Sequence, residues 1–166
     1  MDQQTGDRGV GQERTAVQRR SDRELVVERL FNASPHTVFR AWAEPELFRR
    51  WWAPKEADIT LLSCEMDVRT GGKYRLEFAV GGQDTMAFYG RYLEVAPNER
   101  IVWTNEEDGD GAVTTVTLGQ QSGKTLLTFH ESYASKQALD EAMTGSAEAL
   151  PTQLDQLGAL LPTVGG

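Results

Sequence analysis

The sequence predicts an α+β fold in which a curved, seven-stranded antiparallel sheet surrounds a long C-terminal helix, with two short helices between the first and second strands. Two short helical patterns follow the first strand pattern, six further strand patterns succeed one another, and an apolar stripe of helical period ends the chain. One face of such a sheet must be covered, and the last helix is long enough to cover it. A sheet curled around a helix leaves a cavity between them, which is a common site for apolar ligands.

The first strand and the first helix are predicted between residues 24 and 42. Residues 24–31 are rich in β-forming side chains. Ser34 is suited to cap a helix, and Pro35 suits its first position because proline lacks only an amide that would be unpaired there. Val38 and Trp42 then fall on one helical face, which predicts that this face is buried.

A second short helix is predicted to begin at Glu44-Pro45-Glu46. The two glutamates place negative charge in its first turn, where the helix dipole favours it. Leu47 and Trp51 share the predicted inner face of this helix. Pro54 ends the segment, and the pattern changes to β-structure after it.

The six remaining strands are predicted to form an antiparallel meander. In the second strand of this meander, Tyr74, Leu76 and Phe78 lie on one face and charged residues on the other. The strand that follows is ambiguous, because large apolar side chains occur on both of its faces and a bulge would change its register. The predicted strands are residues 58–66, 73–80, 84–95, 100–105, 112–118 and 124–131.

The C-terminal segment is predicted to be an amphipathic helix. Ser135 is suited to cap its start. Pro151 removes a backbone donor, which predicts a kink or a restart near Leu150. The apolar positions recur every three or four residues and are Leu139, Met143, Ala147, Leu150, Leu154, Leu157 and Leu161.

The composition excludes several classes of function. The chain has 17 basic and 25 acidic residues, a net charge of −8, which argues against nucleic acid and against anionic membrane surfaces as partners. A single cysteine excludes an intramolecular disulfide and a cysteine-rich zinc site, and with only two histidines no metal site and no cofactor are predicted. No run of about 18 apolar residues occurs, so no membrane span is predicted.

The charge distribution predicts a polar tail and one domain. Residues 1–23 hold five arginines against four acidic residues, a sum of +1, whereas residues 24–166 hold 12 basic against 21 acidic residues, a sum of −9. Residues 1–22 contain few apolar side chains and no period, which predicts a disordered tail. Residues 23–162 are predicted to form a single domain. Because the tail lacks the apolar stretch of a signal peptide, we expect a cytoplasmic location.

The predicted cavity is expected to be lined mainly by aromatic and aliphatic side chains. Arg91 is the charged member of the set, and a polar group among apolar walls would orient a ligand. Trp51 and Trp52 also fit a purely structural interpretation, in which Trp51 packs in the core and Trp52 seals the turn before Pro54. The candidate lining residues are Trp42, Trp51, Trp52, Tyr74, Leu76, Phe78, Phe88, Arg91, Trp103, Phe129, Leu150 and Leu154.

Other polar residues fit structural roles better than catalytic ones. The segment from Asp67 to Gly72 has the composition of a tight turn and lacks the spacing of a phosphate loop. Glu131, the acid adjacent to His130, is expected on the opposite strand face, and His36 lies at a helix start, so no catalytic residue is predicted. Cys64 is interpreted as a small strand residue. The acidic segment 106–110 is interpreted as a solvated hairpin tip, because its spacing differs from that of a calcium loop.

Three segments carry sequence motifs in a fixed order. They are residues 38–54 (VFRAWAEPELFRRWWAP), 67–74 (DVRTGGKY) and 90–102 (GRYLEVAPNERIV). Together they resemble the motifs of the activator-of-Hsp-90-ATPase-like family, and the resemblance covers about residues 24–161. The resemblance implies the helix-grip fold of the START-like (SRPBCC) superfamily, which includes lipid carriers, plant ligand-binding proteins and polyketide cyclases. Many relatives carry a tryptophan after the glycine of the last helix, whereas Ser146 stands there in this chain.

Three hypotheses of function follow. The first is a domain that binds a small hydrophobic molecule in the cavity without catalysis, as a monomer or homodimer. The second, which the family resemblance implies, is a co-chaperone-like module that binds a chaperone partner. The third is an enzyme of the polyketide cyclase or hydrolase type, which requires paired polar groups inside the cavity with perturbed pKa values. The sequence shows no such pair.

Overall fold

The computed structural model describes residues 15–55, 59–81, 84–107, 111–145 and 147–164. In these ranges the chain forms one sheet of eight strands and four α-helices. The strands are β1 (Ala16–Arg19), β2 (Glu24–Phe31), β3 (Ile59–Met66), β4 (Lys73–Val80), β5 (Asp84–Ala96), β6 (Arg100–Thr104), β7 (Val113–Gln121) and β8 (Lys124–Ser132). The helices are α1 (Pro35–Ala43), α2 (Pro45–Phe48), α3 (Lys136–Met143) and α4 (Leu150–Leu160), and a 3₁₀ turn, Leu161–Thr163, follows.

The sheet is antiparallel throughout, with the strand order β1-β2-β8-β7-β6-β5-β4-β3. Strands β3 to β8 follow one another as the predicted meander, and β2 pairs with the last of them. Helices α1 and α2 connect β2 to β3. The architecture is therefore the predicted α+β arrangement of a curved antiparallel sheet with C-terminal helices.

The prediction of seven strands is wrong, because β1 adds an eighth. This strand lies inside the segment predicted to be a disordered tail, so that interpretation fails for residues 16–19. All four of its residues are exposed, and β1 is held by backbone pairing to β2, with Val17 opposite Val27. An exposed edge strand buries no apolar face, so it leaves no periodic signal in the sequence. Residues 1–14 of the predicted tail lie outside the described residues.

The prediction of one long C-terminal helix is also wrong, because two helices occupy the segment. The Ser135 side chain caps α3 by accepting a hydrogen bond from the Ala138 amide at 3.1 Å. Helix α3 ends at Met143, and α4 begins at Leu150 with Pro151 in its first turn. The restart predicted near Leu150 is therefore confirmed. Ser146, where many relatives are expected to carry a tryptophan, lies outside the described residues.

The short helices follow the predicted signals closely. The Ser34 side chain accepts a hydrogen bond from the Thr37 amide at 3.2 Å, and Pro35 begins α1. Helix α2 is shorter than predicted, and its buried residue is Phe48, which is 6% exposed, whereas Leu47 is half-buried. The inner-face prediction for Leu47 is thus shifted by one residue.

The core lies between one face of the sheet, which we call the inner face, and the helices. A bulge between Tyr92 and Glu94 shifts the pairing of β5 with β6. Gly90 and Tyr92 lie on the inner face. Leu93 and Tyr89 are exposed. In the described part of the chain, no helix has the length and apolar character needed to cross a membrane.

Candidate functional site

Six aromatic rings form a cluster on the inner face of the sheet. The Trp42 ring lies at its centre, with centroid distances of 4.8 Å to Trp51, 5.8 Å to Trp103 and 6.4 Å to Phe129. Phe48 stacks on Trp52 with centroids 4.9 Å apart. We call Trp42, Phe48, Trp51, Trp52, Trp103 and Phe129 the aromatic cluster. Helices α1 and α2 and the segment after α2 supply four of the rings, and strands β6 and β8 supply the other two.

Of the two most buried tryptophans, Trp51 has a hydrogen-bond acceptor for its indole nitrogen, and Trp42 has none among the described residues. The Trp51 Nε1 group donates to the Ala41 carbonyl oxygen at 2.9 Å, and this ring is fully buried. The Trp42 Nε1 group has no hydrogen-bond partner among the described residues, although the side chain is only 3% exposed. Trp51 therefore fits the structural interpretation. Trp42 carries a buried donor without a protein acceptor, which costs stability.

A group of polar side chains lies beside the aromatic cluster on the same face. Asn105 Nδ2 donates to Thr114 Oγ1 at 3.0 Å, and Thr114 Oγ1 donates to Glu131 Oε2 at 2.7 Å. The Tyr133 hydroxyl donates to Glu131 Oε1. The Tyr74 hydroxyl donates to the Thr104 carbonyl oxygen at 2.8 Å and lies 3.5 Å from Asn105 Oδ1. We call Tyr74, Asn105, Thr114, Glu131 and Tyr133 the polar cluster.

Burial dominates the proton affinities in the polar cluster. It raises the pKa of the Glu131 carboxyl, and the hydrogen bonds from Tyr133 and Thr114 oppose this rise. Burial also raises the pKa values of Tyr74 and Tyr133, which remain protonated phenols. The polar cluster thus contains a carboxyl group whose proton affinity is greater than that of an ordinary glutamate.

The predicted lining residues fall into two sets. Eleven of the twelve belong to the core or pack against it, and Arg91 does not. Trp52, Phe88 and Trp103 are half-buried, while the other eight are buried: Trp42, Trp51, Tyr74, Leu76, Phe78, Phe129, Leu150 and Leu154. Arg91 lies on the opposite, outer face of β5, where its Nε donates to Glu106 Oε2 at 2.8 Å.

An open depression of about 660 Å³ lies around Arg91. Its three basic side chains, Lys73, Arg75 and Arg91, are exposed residues of β4 and β5. They are balanced by three acidic residues of the same lining, Glu65, Asp67 and Glu106. A second open depression, of about 450 Å³, lies between α1 and the turn that follows β5. The depression around Arg91 therefore has equal numbers of basic and acidic side chains.

The turn before β4 has the predicted structural role. Arg69 Nε donates to Asp67 Oδ2 at 2.9 Å. Gly71 has a φ of +89°, a left-handed conformation that favours glycine. A Cβ atom on Gly72 would lie 1.9 Å from the Asp67 carbonyl oxygen, so only glycine fits there. This motif therefore has a structural role. The Gly71 amide donates a hydrogen bond to the Tyr92 carbonyl oxygen at 2.8 Å.

The histidines and the cysteine lie outside both clusters. His36 is exposed and its Nδ1 lies 3.3 Å from Asn98 Oδ1. His130 Nε2 pairs with Glu24 Oε2 at 3.0 Å. The Cys64 thiol lies 3.3 Å from Met66 Sδ, and burial raises its pKa, which keeps it protonated.

Glu131, Thr114 and Tyr133 were not among the predicted site residues. A signal for Glu131 is present in the alternation of β8, where Leu127, Phe129 and Glu131 share one face. An acidic residue that continues an apolar period of two is placed on the buried face of the sheet. Residues 108–110 of the acidic hairpin segment lie outside the described residues. Within the described ranges, no group of three His, Cys, Asp or Glu side chains is placed to hold a metal ion.

The sheet, the C-terminal helices and the inner-face clusters define a START-like, helix-grip protein. The model of the family described as "Activator of Hsp90 ATPase homolog 1-like protein" matches residues 32–161, and the chain belongs to this family. This confirms the family that the three motifs indicated. Comparison with curated proteins gave no match.

Several solved structures share the fold. A Rhodobacter sphaeroides protein superimposes with a TM-score of 0.80 at 22% identity, over 91% of this chain and 99% of that chain. A Chromobacterium violaceum protein has 30% identity and a TM-score of 0.68, over 82% of this chain and 96% of that chain. An AHSA1-like protein from Aeromonas hydrophila has 19% identity and a TM-score of 0.68, over 84% of this chain and 92% of that chain.

Proposed function

We propose that this protein binds a small hydrophobic molecule at the inner face of the sheet, between the aromatic cluster and the C-terminal helices, without a defined catalytic step. The observation that carries the proposal is the aromatic cluster, in which Trp103 and Trp52 keep part of their surface exposed while the rings around them are buried. Exposed indole surface beside a buried aromatic core is the kind of wall on which an apolar ring stacks.

The C-terminal helix completes the proposed site. Leu150 and Leu154 of α4 are buried in the same core as the aromatic cluster. On the neighbouring strands, Phe78 and Phe88 pack with centroids 5.5 Å apart, which extends the apolar wall toward β4 and β5. We propose that the single domain predicted for residues 23–162 carries this function in the cytoplasm, as a monomer or homodimer.

Binding of 1-ethylnaphthalene tests the proposal, because this probe has an aromatic ring and no polar group. We expect it to raise the melting temperature and to change tryptophan fluorescence. Trp103→Ala should weaken its binding by about tenfold, since one aromatic contact and its buried area contribute on the order of 1.4 kcal/mol. Tyr89→Ala, which removes an exposed ring that is not part of the core, is the matched control and should leave binding unchanged.

Two results would count against ligand binding at this site. One is the absence of any probe binding to the wild-type protein. The other is equal binding by the wild type and by both Trp103→Ala and the milder Trp103→Phe, which would place the probe elsewhere.

The exposed face of β5 supports a second candidate, a co-chaperone-like interaction. Tyr89 is 42% exposed and Leu93 is 47% exposed, and both lie on the same strand as Arg91. Exposed aromatic, apolar and arginine side chains are enriched at protein interfaces. The test is the ATPase rate of a purified Hsp90-class chaperone with and without this protein. A rate change that is lost in a Tyr89→Ala, Leu93→Ala double variant would support this candidate, and an unchanged rate would reject it.

A further inference from the structure

We propose that Glu131 recognises a positively charged amine on the bound hydrophobic molecule, so that the site takes aromatic amines in preference to neutral or anionic compounds of the same size. This inference rests on the proposed function, because it assigns the chemistry of the polar end of the same ligand.

The first support is the position of Glu131 relative to the aromatic cluster. In the sheet register, Trp103 of β6 lies opposite Thr114 of β7, and Thr114 lies opposite Glu131 of β8. Facing residues of antiparallel strands point to the same side, so all three side chains lie on the inner face. Two strand spacings separate Trp103 from Glu131, roughly 10 Å between backbones. Phe129, a ring of the aromatic cluster, is two residues from Glu131 on the same strand face.

A ligand that contacts both clusters has to displace the side chains that cover Thr114, which is 0% exposed. A naphthalene ring with a two-carbon chain covers a span of this order, with its ring on Trp103 and its polar end at the carboxyl group. Glu131 and Tyr133 are half-buried, whereas Thr114, which lies between Trp103 and Glu131, is 0% exposed.

The second support is the direction of the hydrogen bonds in the polar cluster. Asn105 donates to Thr114 from its amide nitrogen, and the same nitrogen donates to the Ala112 carbonyl oxygen at 3.0 Å, which defines the orientation of the amide. Because Thr114 Oγ1 accepts that bond, its own proton is directed to Glu131. Tyr133 donates to the other carboxylate oxygen. Thr114 and Tyr133 both act as donors, so Glu131 is the acceptor. Its remaining lone pairs can accept a hydrogen bond from a further donor.

The third support is the missing countercharge. Among the described residues, the ion pairs of lysine, arginine and histidine are made with other acids, and none is made with Glu131. The adjacent His130 is bonded to Glu24, and successive residues of a strand point to opposite faces. Burial raises the pKa of Glu131, and the charge interaction with His130 is the smallest of the effects that oppose this rise. A bound ammonium group would supply both the missing donor and the missing positive charge.

A cationic ligand is also favoured by the overall charge of the chain. The net charge of −8 attracts cations and repels anions over the whole surface. A neutral alcohol would supply the hydrogen-bond donor alone, which makes it the natural comparison.

Three naphthalene probes with a common ring separate these contributions. They are 2-(1-naphthyl)ethylamine, 2-(1-naphthyl)ethanol and 1-ethylnaphthalene, and their dissociation constants are measured by calorimetry on the full chain at pH 7. For the wild type we expect the amine to bind at least about tenfold tighter than 1-ethylnaphthalene, with the alcohol between them, which is on the order of 1.4 kcal/mol or more.

The isosteric variant Glu131→Gln assigns the preference to this carboxyl group. It should weaken amine binding to about the level of the alcohol, so that the ratio of amine affinity to 1-ethylnaphthalene affinity falls. Glu94→Gln, which removes a carboxylate on the exposed side of β5, is the matched control and should keep the full preference. If Glu131→Gln does not fold, the wild type alone still rejects the proposal when the amine binds no tighter than 1-ethylnaphthalene.

The outcomes separate this inference from the function on which it rests. If 1-ethylnaphthalene binds and the amine binds no tighter, or if Glu131→Gln keeps the amine preference, the role of Glu131 is rejected while hydrophobic binding stands. If none of the three probes binds, the proposed function fails, and the amine preference fails with it.

Discussion

The side-chain amide of Gln156 in α4 donates to the backbone carbonyl oxygen of Trp51 at 2.8 Å. The same nitrogen donates to the Ala53 carbonyl oxygen at 2.9 Å, and its Oε1 accepts from the Lys55 amide at 2.8 Å. One glutamine thus satisfies three backbone groups of the turn that follows α2. Gln153 adds a fourth bond, to the carbonyl oxygen of Trp52. The C-terminal helix thereby holds two rings of the aromatic cluster in place.

Replacing Gln156 by Ala should loosen this turn. We expect the free energy of unfolding to fall by about 1–3 kcal/mol, because three backbone groups lose a partner. Urea denaturation measures the loss, and hydrogen exchange at the Lys55 amide should accelerate locally. Gln137→Ala in α3 is the control, since that side chain is exposed and makes one long bond to Glu141 at 3.3 Å. Equal effects of the two variants would contradict this account of Gln156.

Gly90 lies where β5 passes close to the end of β6. A Cβ atom at this position would lie 2.0 Å from the Thr104 carbonyl oxygen, which also accepts the bond from Tyr74. Gly90→Ala should therefore force the strands apart and destabilise the protein by about 2 kcal/mol or more. In Gly119→Ala the new atom would lie 3.8 Å from the Leu126 carbonyl oxygen, an ordinary contact. Thermal unfolding of the two variants compares them, and similar losses would show that the backbone approach at Gly90 is unimportant.

The raised pKa of Glu131 predicts a pH dependence of stability. The folded state binds the proton of this carboxyl more tightly than the unfolded state, so the contribution of Glu131 is most favourable below the unfolded pKa. Stability is then lost as pH rises from that value through the folded pKa, with a slope of at most about 1.4 kcal/mol per pH unit. Glu131→Gln removes this dependence.

The measurement is the difference in unfolding free energy between Glu131→Gln and the wild type from pH 4 upward. The difference should grow in favour of the variant as pH rises and then level off. The lowered pKa of Glu24 acts in the opposite direction, but it is common to both proteins and cancels. A difference that is flat, or that favours the wild type increasingly at higher pH, would be incompatible with a raised pKa.

An ion pair attaches α4 to the sheet. The Arg29 side chain of β2 is only 10% exposed and pairs with Asp155, which is 69% exposed. The Arg29 guanidinium also lies 5.3 Å from the centroid of the Phe31 ring. Asp155→Asn leaves a largely buried cation without its counter-ion, and we expect a loss of about 1 kcal/mol, limited by the solvent screening of the carboxylate.

Urea denaturation at low and high salt checks this prediction. The loss in Asp155→Asn should be smaller at high salt, because the pair is partly screened there. Glu46→Gln, which removes an exposed pair with Arg49 at 3.8 Å, is the control and should cost almost nothing. A cost in Asp155→Asn as small as the control's would show that the ion pair does not stabilise α4.

Local signals in the sequence predicted most of the fold. Ser34 and Pro35 predicted the start of α1. The alternation of residues 73–80 predicted β4, with Tyr74 on the buried face. Each of these signals depends only on neighbouring residues, through capping chemistry or side-chain period. β1 left no such signal, because its four exposed residues are held by backbone bonds to a distant strand.

The amino-acid sequence by itself determined the order of β2, α1, α2 and β3 to β8, most of the apolar faces and the family, because these follow from spacing along the chain. Only the tertiary structure decided the chemistry of the site. It placed Arg91 on the outer face with Glu106 and brought Asn105, Thr114 and Tyr133 to Glu131 on the inner face. Strand register and burial determine which of these side chains come into contact. The contacts join residues from three separate parts of the chain. The pKa of a carboxyl group and the partners that it lacks are likewise properties of the folded neighbourhood.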